Sequence, residues 1–232
     1  PLERTSGARR MSNSTHKTIV QALLDALYPL DVACALCGRE TLLDRDHLCA
    51  ICRDSLSPAP ALVCPSLMDG IVAAYRYGGG AREGVRALKY QNQVRLAPFF
   101  AQAITLPPDW RIDCVVPVPL HPLKQWLRSY NQSDLLAKEL CKRYALFQQN
   151  DLLRRTRFTK SQTKLNEFER AKNVSQAFLA SPEARGKNIL LIDDVTTTHS
   201  TLLACAVALK HAGAARVYAA CATAAIHGTH RD

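Results

Sequence analysis

The sequence predicts an α/β fold, in which a mostly parallel sheet is flanked by helices and a small cysteine-containing module precedes it. Strand-like apolar runs alternate with helix-like patterns from about residue 69 onward, and this alternation is typical of a parallel sheet. One apolar run, ILLIDD, ends in two adjacent carboxylates, Asp193 and Asp194. Near the N-terminus, two C-x2-C pairs stand close together. These three features predict both the fold class and the places where chemistry is concentrated.

The predicted elements follow one another in order. Strands are predicted at GIVAAYRY, IDCVVPVP, KNILLID and ARVYAACATAA. Helices are predicted at GAREGVRALKY, RLAPFFAQAI, NQSDLLAKELCKRYAL and STLLACAVALKHAG. Ser133 is the predicted cap of the third of these helices, and Gly213 closes the fourth.

The chain divides into five predicted segments. The first is interpreted as a vector remnant or extension, the second as an amphipathic helix, the third as a four-cysteine module, the fourth as a proline-rich connector and the fifth as the α/β domain. They are residues 1–10, 11–31, 32–56, 57–68 and 69–232.

Composition limits the classes of protein that fit. With 232 residues, of which 47% are hydrophobic, the chain is able to bury a sizeable core. No run reaches the roughly 18 apolar residues of a membrane span, which predicts no membrane insertion and a cytoplasmic location. The formal charge of +10 favours phosphate-rich partners, but it does not separate nucleotides from nucleic acids. A basic protein without a specific anionic partner is the alternative.

The pattern C-x2-C-x11-C-x2-C predicts a closed, structural zinc site, because four thiolates complete a tetrahedron. Gly38 follows the second cysteine, where a tight turn needs a residue without a side chain. A redox C-x-x-C motif and free buried thiols are the alternatives, and His47 lies in the loop as a possible replacement ligand. The four predicted ligands are Cys34, Cys37, Cys49 and Cys52.

The stretch after the acid pair predicts an anion site. Ligands of parallel sheets bind beyond the carboxyl ends of the strands, and the helix predicted from about Ser200 presents free N–H groups. Hydroxyls in this loop suit a phosphate, whereas Asp193 and Asp194 would repel one placed directly on them. A ribose 5-phosphate meets both demands, with its phosphate in the loop and its 2- and 3-hydroxyls on the carboxylates. The alternative is that the acids only end a strand and the threonines only cap a helix.

The stretch ILLIDDVTTTHST resembles the phosphoribosyl-pyrophosphate motif of type I phosphoribosyltransferases. The chain as a whole resembles the ComF family of competence-associated proteins, including its GntX-like members. The matching segments are the cysteine pairs, LKY at residues 88–90, VPVPLH from Val116, RSYNQSDLLA from Arg128, and the basic segment 154–178.

This resemblance implies a site and a mechanism. Asp193 and Asp194 would hold the ribose hydroxyls and favour positive charge on the ring, with Mg²⁺ bridging ligand oxygens. Lys124 and Arg128 are the candidate pyrophosphate partners, with exposed surface charges as the alternative. His199 replaces the family's loop glycine and is expected to need a positive φ. The implied phosphate loop is Thr196, Thr197, Thr198, His199, Ser200 and Thr201.

The resemblance also implies a role in competence-type DNA uptake, with single-stranded DNA as a ligand and a competence helicase as a partner. The basic run that begins at Arg154 would be a mobile cover over the site, a nucleic-acid strip or an exposed helix face. A true phosphoribosyltransferase of nucleotide metabolism, with an unidentified acceptor and no DNA role, is the alternative function.

Overall fold

The protein is described here from a computed structural model. The described residues are 33–44, 47–120, 128, 130–156 and 177–225. Four sequence-based predictions fall on residues outside these ranges. They are the segment 1–10, the helix within residues 11–31, Lys124, and the basic run from Arg157 onward.

A four-stranded parallel sheet forms the centre of the molecule, as the sequence predicts. Its strands are β1 (Gly70–Arg76), β2 (Cys114–Pro117), β5 (Asn188–Thr196) and β6 (Arg216–Ala224), in the spatial order β1-β6-β5-β2. All three neighbouring pairs are parallel. Their near-continuous apolar sequences suit strands that are buried on both faces. The acid pair lies within the last four residues of β5, which extends three residues beyond the predicted strand.

Five helices accompany the sheet in the described part of the chain. The two central strands are covered on one face by the helices that begin at Gly79, Leu96 and Gln132, and on the other by the helix that begins at Ser200. The helices are α1 (Ala50–Asp54), α2 (Gly79–Tyr90), α3 (Leu96–Ala103), α4 (Gln132–Tyr144) and α5 (Ser200–His211).

The N-terminus of α4 differs from the prediction. Asn131, not Ser133, is the cap, and its side chain accepts a hydrogen bond from the Ser133 backbone N–H. The Asn131 amide also donates to the Val118 carbonyl at 3.0 Å, which ties the start of α4 to the segment that follows β2. The Ser133 hydroxyl is consequently available for another contact.

A second, smaller sheet was not predicted from the sequence. It pairs β3 (Leu153–Arg155) with β4 (Phe178–Ala180) in antiparallel register, and a 3-10 turn (Pro182–Ala184) follows. Strands of three residues are too short to show a periodic pattern. This sheet packs against α5.

The cysteine module and the connector pack directly on the α/β domain. The connector runs beside β1, where Ala59 N donates to Ala74 O at 3.0 Å and Arg76 N donates to Ser57 O at 2.8 Å. Buried cysteines of the module share one hydrophobic core with α2, α3 and α4. Within the described ranges, no helix has the length and apolar character needed to cross a membrane.

Candidate functional site

The two aspartates of β5 face opposite sides of the sheet. Side chains alternate along a strand, and Ile189 and Leu191 belong to the core on the α5 side, whereas Leu190 and Ile192 belong to the core on the α2 side. Asp194 pairs with Lys89 of α2, whereas Asp193 lines the cavity beside α5 and also contacts Ser133 of α4. The sequence shows adjacent carboxylates, but the strand gives them separate environments.

Asp193 is one of the residues that line a small cavity beside the loop that precedes α5. Its Oδ1 atom accepts hydrogen bonds from the Ser133 hydroxyl at 3.0 Å and from the Asp194 backbone N–H at 2.9 Å. Burial, together with the nearby charge of Asp194, raises the pKa of Asp193 to about 7. The carboxyl group is therefore able to gain or lose a proton near neutral pH.

Asp194 is held by a lysine that the sequence-based site prediction did not include. Its carboxylate lies 2.9 Å from the Lys89 ammonium, and the Asp194 side chain is only 8% exposed. A buried carboxylate requires such a partner because the desolvation of an unpaired charge is costly. Lys89 belongs to the LKY segment that carried part of the family resemblance. This resemblance was the sequence feature from which Lys89 could have been predicted as a site residue.

The predicted loop residues Thr196 to Thr201 all line the cavity. The cavity has a volume of about 50 Å³, several times the space that one buried water needs. Ser200 begins α5, whose first N–H groups have no partner within the helix. The Thr198 and Ser200 hydroxyls lie 2.7 Å apart. A small anion fits the size and the chemistry of this cavity.

His199 has the positive φ that the sequence predicts, with φ 58° and ψ 4°. Its Nδ1 atom lies 2.7 Å from the Thr196 hydroxyl oxygen. Burial lowers the pKa of His199, which favours the neutral ring. The ring is thus held against the end of β5 and forms part of the cavity wall.

Of the two predicted pyrophosphate partners, only Arg128 is described. Its guanidinium lies 4.8 Å from the centre of the Tyr90 ring, and Nη2 donates to the Tyr90 hydroxyl at 3.1 Å. Tyr130 donates a hydrogen bond to the Leu88 carbonyl. The segment that begins at Arg128 therefore contacts the C-terminal end of α2, next to the Lys89–Asp194 pair.

The basic run begins at the β3–β4 sheet. Arg155 lies with its guanidinium 5.2 Å from the centre of the Phe178 ring. Burial lowers the pKa of Arg155, while the nearby carboxyl group of Asp193 opposes this effect. Arg155 therefore contributes positive potential on the Asp193 side of the sheet.

The four predicted metal ligands form one cluster. All four sulfur atoms lie within 4.8 Å of one another, and those of Cys37 and Cys49 are 3.9 Å apart. Zinc–sulfur bonds of about 2.3 Å in a tetrahedron place the sulfurs about 3.8 Å apart. The cluster thus has the size and the donor set of a zinc site.

Backbone groups support the cluster. Cys49 N donates to the Cys34 sulfur at 3.3 Å, and Cys52 N donates to the Cys49 sulfur at 3.4 Å. Burial raises the pKa of Cys34, but hydrogen bonds from the backbone outweigh this effect and bring it to about 7. Gly38 has φ +73°, as its predicted turn requires, and His47 is exposed.

The amino-acid sequence was compared with known protein families and with curated proteins. Residues 136–232 match the sequence family described as "Phosphoribosyl transferase domain", so the chain carries a phosphoribosyltransferase-type domain with a four-cysteine cluster near its N-terminus. The predicted resemblance to competence proteins is confirmed by relatives that carry such names.

One relative is Competence protein F of Haemophilus influenzae, which is 36% identical over 93 residues, or 39% of this chain and 41% of that protein. Another is DNA utilization protein YhgH of Escherichia coli strain K12, which is 28% identical over 206 residues, or 81% of this chain and 88% of that protein. The aligned segment thus spans less than half of the Haemophilus relative.

A similar solved structure is the glutamine phosphoribosylpyrophosphate amidotransferase from B. subtilis complexed with ADP and GMP. Its TM-score is 0.38 at 18% sequence identity, and the match covers 60% of this chain and 27% of that chain.

Proposed function

We propose that this protein binds phosphoribosyl pyrophosphate, or a related ribose 5-phosphate, together with Mg²⁺, and acts in the handling of incoming single-stranded DNA. One observation carries the ligand proposal. Asp193 lines the same cavity as the hydroxyl-rich loop and the first turn of α5.

The cavity offers complementary chemistry for the two ends of such a ligand. The N-terminus of α5, a helix of 12 residues, favours a phosphate through its free N–H groups and its dipole. The loop hydroxyls add further donors. Asp193 would accept hydrogen bonds from ribose hydroxyls, and in the described part of the chain its hydrogen bonds all fall on Oδ1. The phosphate and the sugar would thus occupy neighbouring but separate positions.

The carboxylate oxygens of Asp193 are ligands that Mg²⁺ accepts. When bound, the ion would supply positive charge that neutralises the pyrophosphate oxygens. Lys89 has a separate role, since it neutralises Asp194 and thereby lowers the repulsion between the end of β5 and an anionic ligand. Arg128, held near Lys89 by Tyr90, would contribute a second cation for pyrophosphate.

A thermal-shift measurement tests the ligand proposal. A ligand that binds only the native state, at 100 times its Kd, stabilises that state by about 2.7 kcal/mol. We expect phosphoribosyl pyrophosphate with Mg²⁺ to raise the Tm of the wild type and to have little effect on Asp193→Asn. The control is Asp151→Asn, which removes an exposed carboxylate and should keep the shift. A wild type without a shift at millimolar ligand would contradict the proposal.

The DNA part of the proposal is supported by the relatives and by charge. The relatives are named Competence protein F and DNA utilization protein YhgH, and this chain has a formal charge of +10. We expect measurable affinity for single-stranded DNA that falls steeply as salt is added. Absence of binding at low salt would remove the DNA role and leave the phosphoribosyl proposal to its own test.

A further inference from the structure

We propose that the outer face of α2, formed by Arg82, Arg86 and Tyr90, binds single-stranded DNA and stacks one of its bases on Tyr90. The inference rests on the proposed DNA role and assigns it a surface. None of these three residues lines the cavity at Asp193, although Tyr90 contacts Arg128, the proposed pyrophosphate cation.

The three residues form a row along the helix. They are spaced four residues apart, so they lie on one side of α2 and span about 12 Å from first to last. All three are exposed, whereas Val85 and Leu88 on the opposite side are fully buried. The helix therefore packs through one face and presents this row to solvent.

The row is positively charged. Arg86 has an acidic neighbour, Glu83, with its guanidinium 3.6 Å from the carboxylate, but both side chains are about half exposed. Such a pair contributes little, and an arriving phosphate is able to replace the carboxylate. Arg82 forms no ion pair with any residue in the described ranges.

Tyr90 adds the feature that distinguishes this surface from an ordinary basic helix face. Tyr90 is 69% exposed, although tyrosine has a large apolar ring. The Arg128 guanidinium, 4.8 Å from the ring centre and bonded to the hydroxyl, restrains the ring and places a further cation beside it. An exposed aromatic ring at the end of a cationic row suits the base and backbone of a single strand.

The two ends of α2 contact different parts of the molecule. At its start, Gly80 N donates to the Ser55 hydroxyl of the cysteine module at 2.8 Å. At its end, Lys89 pairs with Asp194 of β5. A strand lying along α2 would therefore run from the cysteine module toward the proposed phosphoribosyl site.

Fluorescence anisotropy with a labelled oligo-dT of about 12 nucleotides tests the inference. The double variant Arg82→Gln/Arg86→Gln should weaken binding and reduce the slope of log K against log salt by about 1.4, since each phosphate contact contributes about 0.7. The matched control is Lys138→Gln/Lys142→Gln, which removes two exposed charges from α4 and should leave the slope near that of the wild type.

The stacking step has its own measurement. Tyr90→Ala should weaken binding by roughly 5- to 100-fold, which corresponds to one stacked base, with no change in the salt slope, and Tyr90→Phe should bind like the wild type. An abasic oligonucleotide of the same length should bind more weakly and be insensitive to Tyr90→Ala.

Four outcomes would overturn the inference. One is an equal loss of DNA affinity and salt slope in the α4 control variant, which indicates a general effect of protein charge. Another is Tyr90→Ala binding as the wild type does, which indicates a purely ionic surface of the kind that an acidic protein would also fit. A wild type that binds no single-stranded DNA at low salt would remove both the DNA role and this surface. If the wild type binds and the α2 variants bind equally well, only the α2 assignment fails.

Discussion

A histidine at position 199 occupies a backbone conformation that glycine adopts at the lowest cost. The φ of 58° lies in the left-handed region, where a side chain costs roughly 1–2 kcal/mol. The contact between Nδ1 and the Thr196 hydroxyl oxygen, 2.7 Å apart, offsets part of this cost. His199 thus adopts an unfavourable backbone conformation, and its ring forms part of the cavity wall.

Two substitutions separate the backbone effect from the side-chain effect at this position. His199→Ala and His199→Gly both lose the contact with Thr196, but only glycine is free of the left-handed penalty. We expect the glycine variant to be more stable than the alanine variant by about 1 kcal/mol in urea unfolding. With the ring gone, the glycine variant should also bind phosphoribosyl pyrophosphate at least as tightly as the wild type. Weaker binding would mean that the ring itself contacts the ligand.

The carboxyl group of Asp193 makes stability depend on pH in a defined window. Its pKa in the folded protein is about 7, whereas an unfolded chain releases this proton near pH 4. Between these values the native state holds a proton that the unfolded state lacks, so the free energy of unfolding falls as pH rises from about 4 to about 7. Above pH 7 this contribution is lost.

Urea unfolding at pH 5 and at pH 8 measures this contribution. The stability of the wild type relative to Asp193→Asn should fall between the two pH values, by no more than about 1.4 kcal/mol per pH unit within the window. Asp151→Asn, which changes an exposed carboxylate, should follow the wild type. A parallel pH dependence of the wild type and Asp193→Asn would show that Asp193 titrates at its ordinary pKa.

Helix α2 connects the cysteine module to the proposed phosphoribosyl site at the end of β5. Two glycines allow the cysteine module to pack closely on it. A Cβ at Gly84 would lie 2.3 Å from a methyl of Leu36 and 3.0 Å from the Phe100 ring, and one at Gly80 would lie 2.8 Å from the Cys52 carbonyl oxygen. The other end of the helix carries Lys89. A displacement of α2 at the module should therefore also affect Asp194.

Gly84→Val tests this close contact. The added side chain must displace Leu36 or Phe100, and overpacking of this kind costs about 1–3 kcal/mol. We expect a lower Tm and a smaller shift with phosphoribosyl pyrophosphate. The control is Gly78→Val, since a Cβ at Gly78 meets nothing within 4 Å and its extended backbone, with φ −175°, accepts valine. Equal effects of the two substitutions would contradict the tight packing.

The main elements of the sheet were predictable because their sequences are long and regular. The runs that form β5 and β6 are apolar on both faces, and the loop beyond β5 follows from the carboxyl-end rule for parallel sheets. The Lys89–Asp194 pair was not predictable, because it joins residues 105 positions apart in a tertiary contact. Nor does the sequence show that Asp193 and Asp194 face opposite sides, since this depends on β5 continuing beyond the acids.

At the scale of the whole molecule, the cysteine module is part of the core rather than an appendage. Leu36 and Leu48 of the module are buried in the same cluster as Val85 and Leu88 of α2. Loss of order in the module would expose this cluster to water. A metal bound by the four sulfurs would therefore stabilise the α/β domain as well as the module.

Metal removal tests this arrangement. We expect about one zinc per chain in protein purified without chelator, and less than half an equivalent would contradict the zinc assignment. Because the binding free energy of a structural zinc contributes to folding, Cys37→Ser should lower the Tm by roughly 5–10 °C, as a loss of about 2–3 kcal/mol does in a chain of this size. Cys64→Ser, which changes an exposed cysteine outside the cluster, should keep both the zinc and the Tm.

Since α2 carries Lys89 to the end of β5, Cys37→Ser should also reduce the thermal shift with phosphoribosyl pyrophosphate. A Cys37→Ser variant that loses zinc but keeps the full shift would show that the module and the site are energetically independent.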